Sequence, residues 1–215
     1  MALDPRTPVL VGAGQLVQRV DPALAVEPVA LMAEAARLAA EDAGARGILG
    51  AVQSVQVVRP VSWRYPDPGA LVAGLIGATG ARTAVSTMGG NAPQSMVNAA
   101  ATAIQAGELD VVLLTAAEAS KTRQACRALD EKPPWPTQSP STTPATVLGE
   151  EVPLNHPAET SRGIVLPVQL YPVFECALRA AAGRTVDEHV ERIAELWSRF
   201  SEVAATNPSP GRRTP

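Results

Sequence analysis

The sequence predicts an α/β fold with a largely parallel sheet, and three observations predict it. Between residues 8 and 118, short apolar or β-branched runs alternate with stretches of helical periodicity. That is the pattern of strand–helix–strand units, whose parallel strands need crossover connections. The turn Gly89-Gly90-Asn91 leads from one such run directly into a small-residue helix. Finally, the apolar run 111–114 shows no polar alternation, as in a strand covered on both faces.

Taken in order, residues 8–15 read as a first strand running into a loop. Gly12-x-Gly14 invites comparison with a dinucleotide-binding turn. The third glycine position is Val17, however, and Asp21-Pro22 leaves no room for the helix that must follow. Tight backbone packing at a strand end is the better reading. Residues 28–43 are helical, with Leu31, Ala35 and Leu38 on one face and Gly44 closing the run. A second strand spans 52–58, a short helix 69–76 and a third strand 82–86. In the loop between the second strand and the short helix, Trp63 and Tyr65 either cover the sheet edge, stack on an adenine or line an acyl pocket.

The turn at Gly89-Gly90 is expected to use backbone angles closed to other residues, with Asn91 as N-cap and Pro93 just inside the helix. Met96, Ala100, Ala103 and Ile104 share a face, and Gly107 ends the run. The small residues Ala99, Ala100, Ala101 and Ala103 predict a largely buried helix, and exposure on most sides would count against the assignment. N–H groups emerging from a glycine turn suit an anion or an oxyanion.

After Glu118, residues 122–129 read as helix, with Cys126 as a packing residue. Residues 130–153 are rich in Pro, Ser and Thr and read as an ordered loop or mobile cover. In Asn155-His156-Pro157-x-Glu159, His156 either anchors this loop or serves as a general base. A helix starts at Tyr171-Pro172 and ends at Gly183, with Cys176 expected to pack. Thr185-x-x-Glu188 is a capping box for the last helix, whose stripe is Ile193, Leu196, Trp197, Phe200 and Val203. His189 is expected to face solvent. The chain thus divides into a core at 1–129, a loop and helical insertion at 130–206, and a tail at 207–215 without periodicity.

A net charge of −3 gives no electrostatic case for nucleic acid or an anionic membrane. No apolar run approaches membrane-spanning length, and the first residues lack a signal-peptide core. Cys126 and Cys176 make neither a disulfide framework nor a metal cluster. These features predict a soluble cytoplasmic protein with no metal and no permanently bound cofactor.

The central stretch resembles the thiolase superfamily. There a strand leads to a Cys-x-Ser-Gly motif, a small-residue helix ending Ile-x-x-Gly, an Asp, an apolar strand and a Glu-Ser pair. Ile104, Gly107, Asp110, Glu118 and, two residues on, Ser120 keep that spacing. Counting back from Gly107, the nucleophile position falls on Gly90. The chain is thus most similar to thiolase-like acetyl-CoA acetyltransferase proteins that carry Gly-Gly-Asn in place of the cysteine motif, and only to their N-terminal half. The resemblance implies a layered α/β/α half with a mostly parallel mixed sheet and an inserted loop region that supplies much of a coenzyme A site. It also implies acyl-CoA as ligand, with Trp63 and His156 as candidate contacts, and carbon–carbon bond chemistry next to a thioester. A homodimer through strand 82–86, or a partner subunit, is expected too. Glycine cannot carry an acyl group, so a non-acylating lyase, an acyl-CoA-binding scaffold and an inactive truncated product stand as alternatives.

Overall fold

The alternation of the sequence appears in the computed structural model, which describes residues 4–143 and 145–206, as four parallel strands and seven α-helices. The tail expected at 207–215 lies outside the described residues. The chain falls into two compact units, Met1–Val152 and Pro153–Pro215.

In the first unit the strands are β1 (Ser54–Val57), β2 (Arg82–Ser86), β3 (Val112–Thr115) and β4 (Thr146–Leu148), in the order β3-β1-β2-β4. Helix α1 (Pro28–Asp42) precedes the sheet, α2 (Pro68–Ile76) joins β1 to β2, and α3 (Ala92–Gln105) joins β2 to β3. The first crossover moves one way along the sheet. The second moves back over β1, so right-handed connections put α2 and α3 on opposite faces. On the α1–α2 face Val55 and Val57 are fully buried against Val29, Met32, Ala36 and Val72. Burying each such Val or Met side chain contributes about 1.5–3 kcal/mol. This face is the core.

Several expectations are corrected here. Residues 8–15 form no strand. Gly12 and Gly14 press so closely on α1 that a Cβ at either would overlap the carbonyl oxygen of Ala39 or Ala35. The Ala13 N–H donates to Asp42 Oδ2 at 2.9 Å rather than to a neighbouring strand. Helix α3 begins two residues after Gly90 but is not largely buried, because only Ala92, Met96 and Ala100 are covered. Ala99, Ala101 and Ala103 are only partly covered. Strand β3 is likewise half-exposed instead of covered on both faces. A fourth strand, β4, emerges from the Pro-rich stretch and pairs with β2 from Ala84 to Ser86.

The rest of that stretch is fastened as well. Trp135 is buried and donates from Nε1 to the Ala25 carbonyl at 2.8 Å. Gln138 exchanges two hydrogen bonds with the Asp67 backbone, at 2.8 and 2.7 Å. Residues 130–152 therefore belong to the first unit. Helix α4 (Ser120–Ala128) buries Cys126 as expected.

The second unit consists of α5 (Pro157–Thr160), α6 (Pro167–Ala181) and α7 (Val186–Thr206). Helix α6 starts four residues before Tyr171, with Pro167 at its first position, where a missing N–H costs nothing. The capping box forms: the Thr185 N–H donates to Glu188 Oε2 at 2.8 Å, and the Glu188 N–H to Thr185 Oγ1 at 3.3 Å. His189 is buried, against expectation, with Nε2 2.8 Å from Glu175 Oε2. It falls one helical turn before Ile193 and so sits on the apolar side of α7. Cys176 is exposed, again against expectation, because it lies about 100° around α6 from the inward Glu175.

Candidate functional site

Open α/β sheets hold their ligands beyond the carboxyl ends of the strands, near a reversal of strand order. The chain reverses at β2, and residues 87–91 leave its carboxyl end to start α3. Neither Gly89 nor Gly90 has a positive φ, so the turn does not need glycine for its backbone angles. What glycine supplies at position 90 is the absence of a side chain: a Cβ there would meet nothing within 4 Å. Asn91 stands at the N-cap, but its side chain bonds no helix N–H and reaches only Ser95 Oγ, at 3.5 Å. The N–H groups of Gly90 and Asn91 donate to no group of the described chain. Two unclaimed donors at the start of a 14-residue helix favour a negative group beside them.

The floor of this turn is held by residues that sequence reasoning missed. Arg59, just past β1, donates from its backbone N–H to Ser86 Oγ at 3.1 Å and from Nε to the Ser86 carbonyl at 3.0 Å. Its guanidinium also pairs with Glu151 at 3.4 Å. Thr87 donates its N–H to the Leu148 carbonyl, which ties the turn to β4. An arginine directly before Pro60 at the end of an apolar strand was the available signal.

The motif residues have structural partners. Ile104 is half-buried near the end of α3, and Gly107 just beyond it takes φ +75°, a left-handed angle that ends the helix. Asp110 pairs with Arg6 at 3.2 Å on the surface, and its N–H donates to Gln53 Oε1. Glu118, past β3, accepts the N–H groups of Val61 at 2.6 Å and Ser62 at 2.8 Å, which pins the loop after β1. Ser62 Oγ in turn accepts the Ala119 N–H, next to Ser120 at the start of α4. Glu118 and Arg59 thus organise the two loops that flank the glycine turn.

The two candidate ligand contacts are engaged elsewhere. Trp63 sits edge-to-face on Trp135, with ring centroids 5.3 Å apart, and donates from Nε1 to the Pro136 carbonyl. His156 belongs to the second unit, where Nδ1 accepts the Ala158 N–H at 3.2 Å and its own N–H donates to Glu159 at 2.6 Å. It is an N-cap. Tyr65 donates to Glu27 Oε2 at 2.8 Å. Burial raises the Glu27 carboxyl above its usual range, an effect the Tyr65 hydroxyl partly offsets. Burial, then the bond to Glu27 and its charge, push the Tyr65 phenol well up. Among the described residues no three His, Cys, Asp or Glu gather as a metal site. No described helix is long and apolar enough to cross a membrane.

The parallel sheet and its helical crossovers match a thiolase-like fold. The chain matches the crystal structure of a monomeric SCP2-thiolase like protein type 1 from Mycobacterium smegmatis, with a TM-score of 0.69 and 28% identity. The match covers 99% of this chain but only 38% of that one. The sequence matches no protein-family model and no curated protein. Strand β2, through which a homodimer was expected, is paired with β1 on one side and with β4 on the other, so the open edge behind that expectation is absent.

Proposed function

We propose that the chain is a thiolase-like acyl-coenzyme A binding protein, related to acetyl-CoA acyltransferases, that holds a thioester without forming a covalent acyl intermediate. The observation that carries this reading is the head of α3. Gly90 occupies the position at which the resemblance expects the nucleophile, with open space where a side chain would project. The free N–H groups of Gly90 and Asn91 remain as donors for a thioester carbonyl or an enolate oxygen. Thiolase chemistry needs a thiolate, a base and an oxyanion hole. Only the last is supported here. Cys126 is buried in α4, and Cys176 lies in the other unit.

The test is calorimetric titration with acetyl-CoA, steady-state thiolysis of acetoacetyl-CoA, and mass spectrometry for an acyl adduct, on the wild type and on Gly90→Cys. Saturable binding, no turnover by either, and a slowly formed acyl adduct on the variant alone are expected, since losing one member of a catalytic unit costs orders of magnitude. Absence of binding at millimolar acetyl-CoA would overturn the proposal. Turnover by the wild type, abolished by changing Cys126 or Cys176, would overturn it equally.

A further inference from the structure

A guanidinium carries its N–H donors in a flat fork. Arg59 spends Nε on the Ser86 carbonyl at 3.0 Å, while its backbone N–H holds Ser86 Oγ. The side chain is thereby clamped to the last residue of β2, the strand that feeds the glycine turn. Neither of its Nη groups makes a hydrogen bond to the described residues. Glu151 stands 3.4 Å from Nη1, beyond the roughly 2.7–2.9 Å of a charge-assisted hydrogen bond. The two side chains are 37% and 57% exposed, so the contact is a loose surface ion pair that holds little.

Glu151 reaches Arg59 on a strap laid beside the same turn. The Leu148 carbonyl accepts the Thr87 N–H at 3.0 Å. Gly149, at φ +97°, lies so close to Thr87 that a Cβ would stand 2.8 Å from its hydroxyl oxygen. Glycine alone takes that backbone angle freely and fits that gap. Two residues later the strap presents a carboxylate to the clamped guanidinium. Among the described residues Glu150 and Glu151 form no hydrogen bond, so the charge of Arg59 is what keeps Glu151 in place.

We infer that Glu151 is a placeholder, whose carboxylate occupies in the free protein the fork that Arg59 offers to a carboxylate on the ligand. The inference rests on the acyl-coenzyme A reading of the glycine turn and names the acyl class, a short acyl group that ends in a carboxylate. A thioester oxygen at the N–H groups of Gly90 and Asn91 would lie near the clamped arginine, since the chain from Ser86 to Gly90 spans no more than about 14 Å. A ligand carboxylate can take both Nη donors in the fork geometry that Glu151 does not reach. Exchanging one carboxylate for another also leaves Arg59 paired throughout. A neutral acyl group gains nothing by displacing Glu151, so the placeholder sharpens the discrimination.

The probes are succinyl-CoA and butyryl-CoA, thioesters of equal carbon number that differ in the terminal carboxylate, titrated calorimetrically into the full chain. The wild type should bind succinyl-CoA at least about threefold more tightly. Glu151→Gln removes the competitor from an exposed position and should raise that preference a further two- to fivefold, roughly the worth of an exposed ion pair. A gain of this kind is not what damaged packing produces. Arg59→Gln should erase the preference, and Arg59→Lys, which keeps the charge without the fork, should restore only part of it. Circular dichroism melts identify any variant that has lost its fold. A preference that Glu151→Gln leaves unchanged or lowers would overturn the inference. Equal weakening of both esters in a folded Arg59→Gln would overturn it too, by assigning Arg59 to the phosphates of the coenzyme. Failure of both esters to bind the wild type would overturn the reading of the glycine turn itself, and this inference with it.

Discussion

Replacing Trp135 by alanine removes the side chain that fastens the Pro-rich stretch to the sheet unit. Trp135 is 8% exposed, sits edge-to-face on Trp63, and donates to the carbonyl of Ala25, which is itself buried. The aromatic pair contributes about 0.5–1.5 kcal/mol beyond area burial. Leaving the Ala25 carbonyl without a donor costs about 1–3 kcal/mol. With the cavity included, the whole substitution should cost about 3–5 kcal/mol. Trp135→Phe keeps most of the ring contact and loses the N–H, so it should cost about 1–3 kcal/mol, the unsatisfied-carbonyl share alone. Urea unfolding followed by far-ultraviolet circular dichroism measures both, since that signal does not depend on the tryptophan removed. A loss under about 1 kcal/mol for Trp135→Ala would refute the reasoning and make residues 130–152 a loose cover.

Two further outcomes follow from the geometry. Gly12→Ala puts a methyl group against the Ala39 carbonyl and should cost about 1–3 kcal/mol in the same urea assay. Gly90→Ala, which meets nothing, should stay within about 0.5 kcal/mol, and equal losses would break the argument. The Thr185 N–H, then the Thr185 hydroxyl, hold the Glu188 carboxyl below its ordinary value of 4.5, with Arg184 assisting. A carboxyl depressed in the folded state adds stability above its unfolded pKa and loses it as pH falls through the folded one. The first turn of α7 should therefore fray only below pH 4.5, and Thr185→Ala should move the Glu188 titration upward in a carbon-13 NMR titration.

The helices and the interior strands were legible because their periodicity and end signals are local. Strand 82–86 and the ends at Gly44 and Gly183 needed only neighbouring residues to be read. What escaped depends on partners far away in sequence. Strand β4 exists because the edge of β2 accepts it, although Pro140 and Pro144 nearby argue for a loop. Residues 8–15 have strand composition but no neighbour to pair with. The alanines of α3 promised burial, and composition alone does not say whether a second layer is there to bury them. At the candidate site the glycine turn was readable, whereas Arg59 acts through a contact 27 residues away in the chain. His189 was readable in principle, because it lies one turn before Ile193 on the apolar stripe.

The two ends of the sheet are unlike, and this bounds how the protein can misassemble. Strand β4 is three residues long and is followed by Gly149, Glu150 and Glu151, a short charged border that discourages further pairing. The carboxylates that flank strand β3, Asp110 and Glu118, are engaged with Arg6 and with the backbone of Val61 and Ser62. Fibrous growth by strand stacking needs an acceptor edge at both ends, so that each unit added exposes a new one. A sheet with one receptive end and one blunted end takes a single strand and then stops. Crowding or overexpression should therefore load this chain with stray pairs, and the end product is a small stoichiometric adduct instead of a fibril.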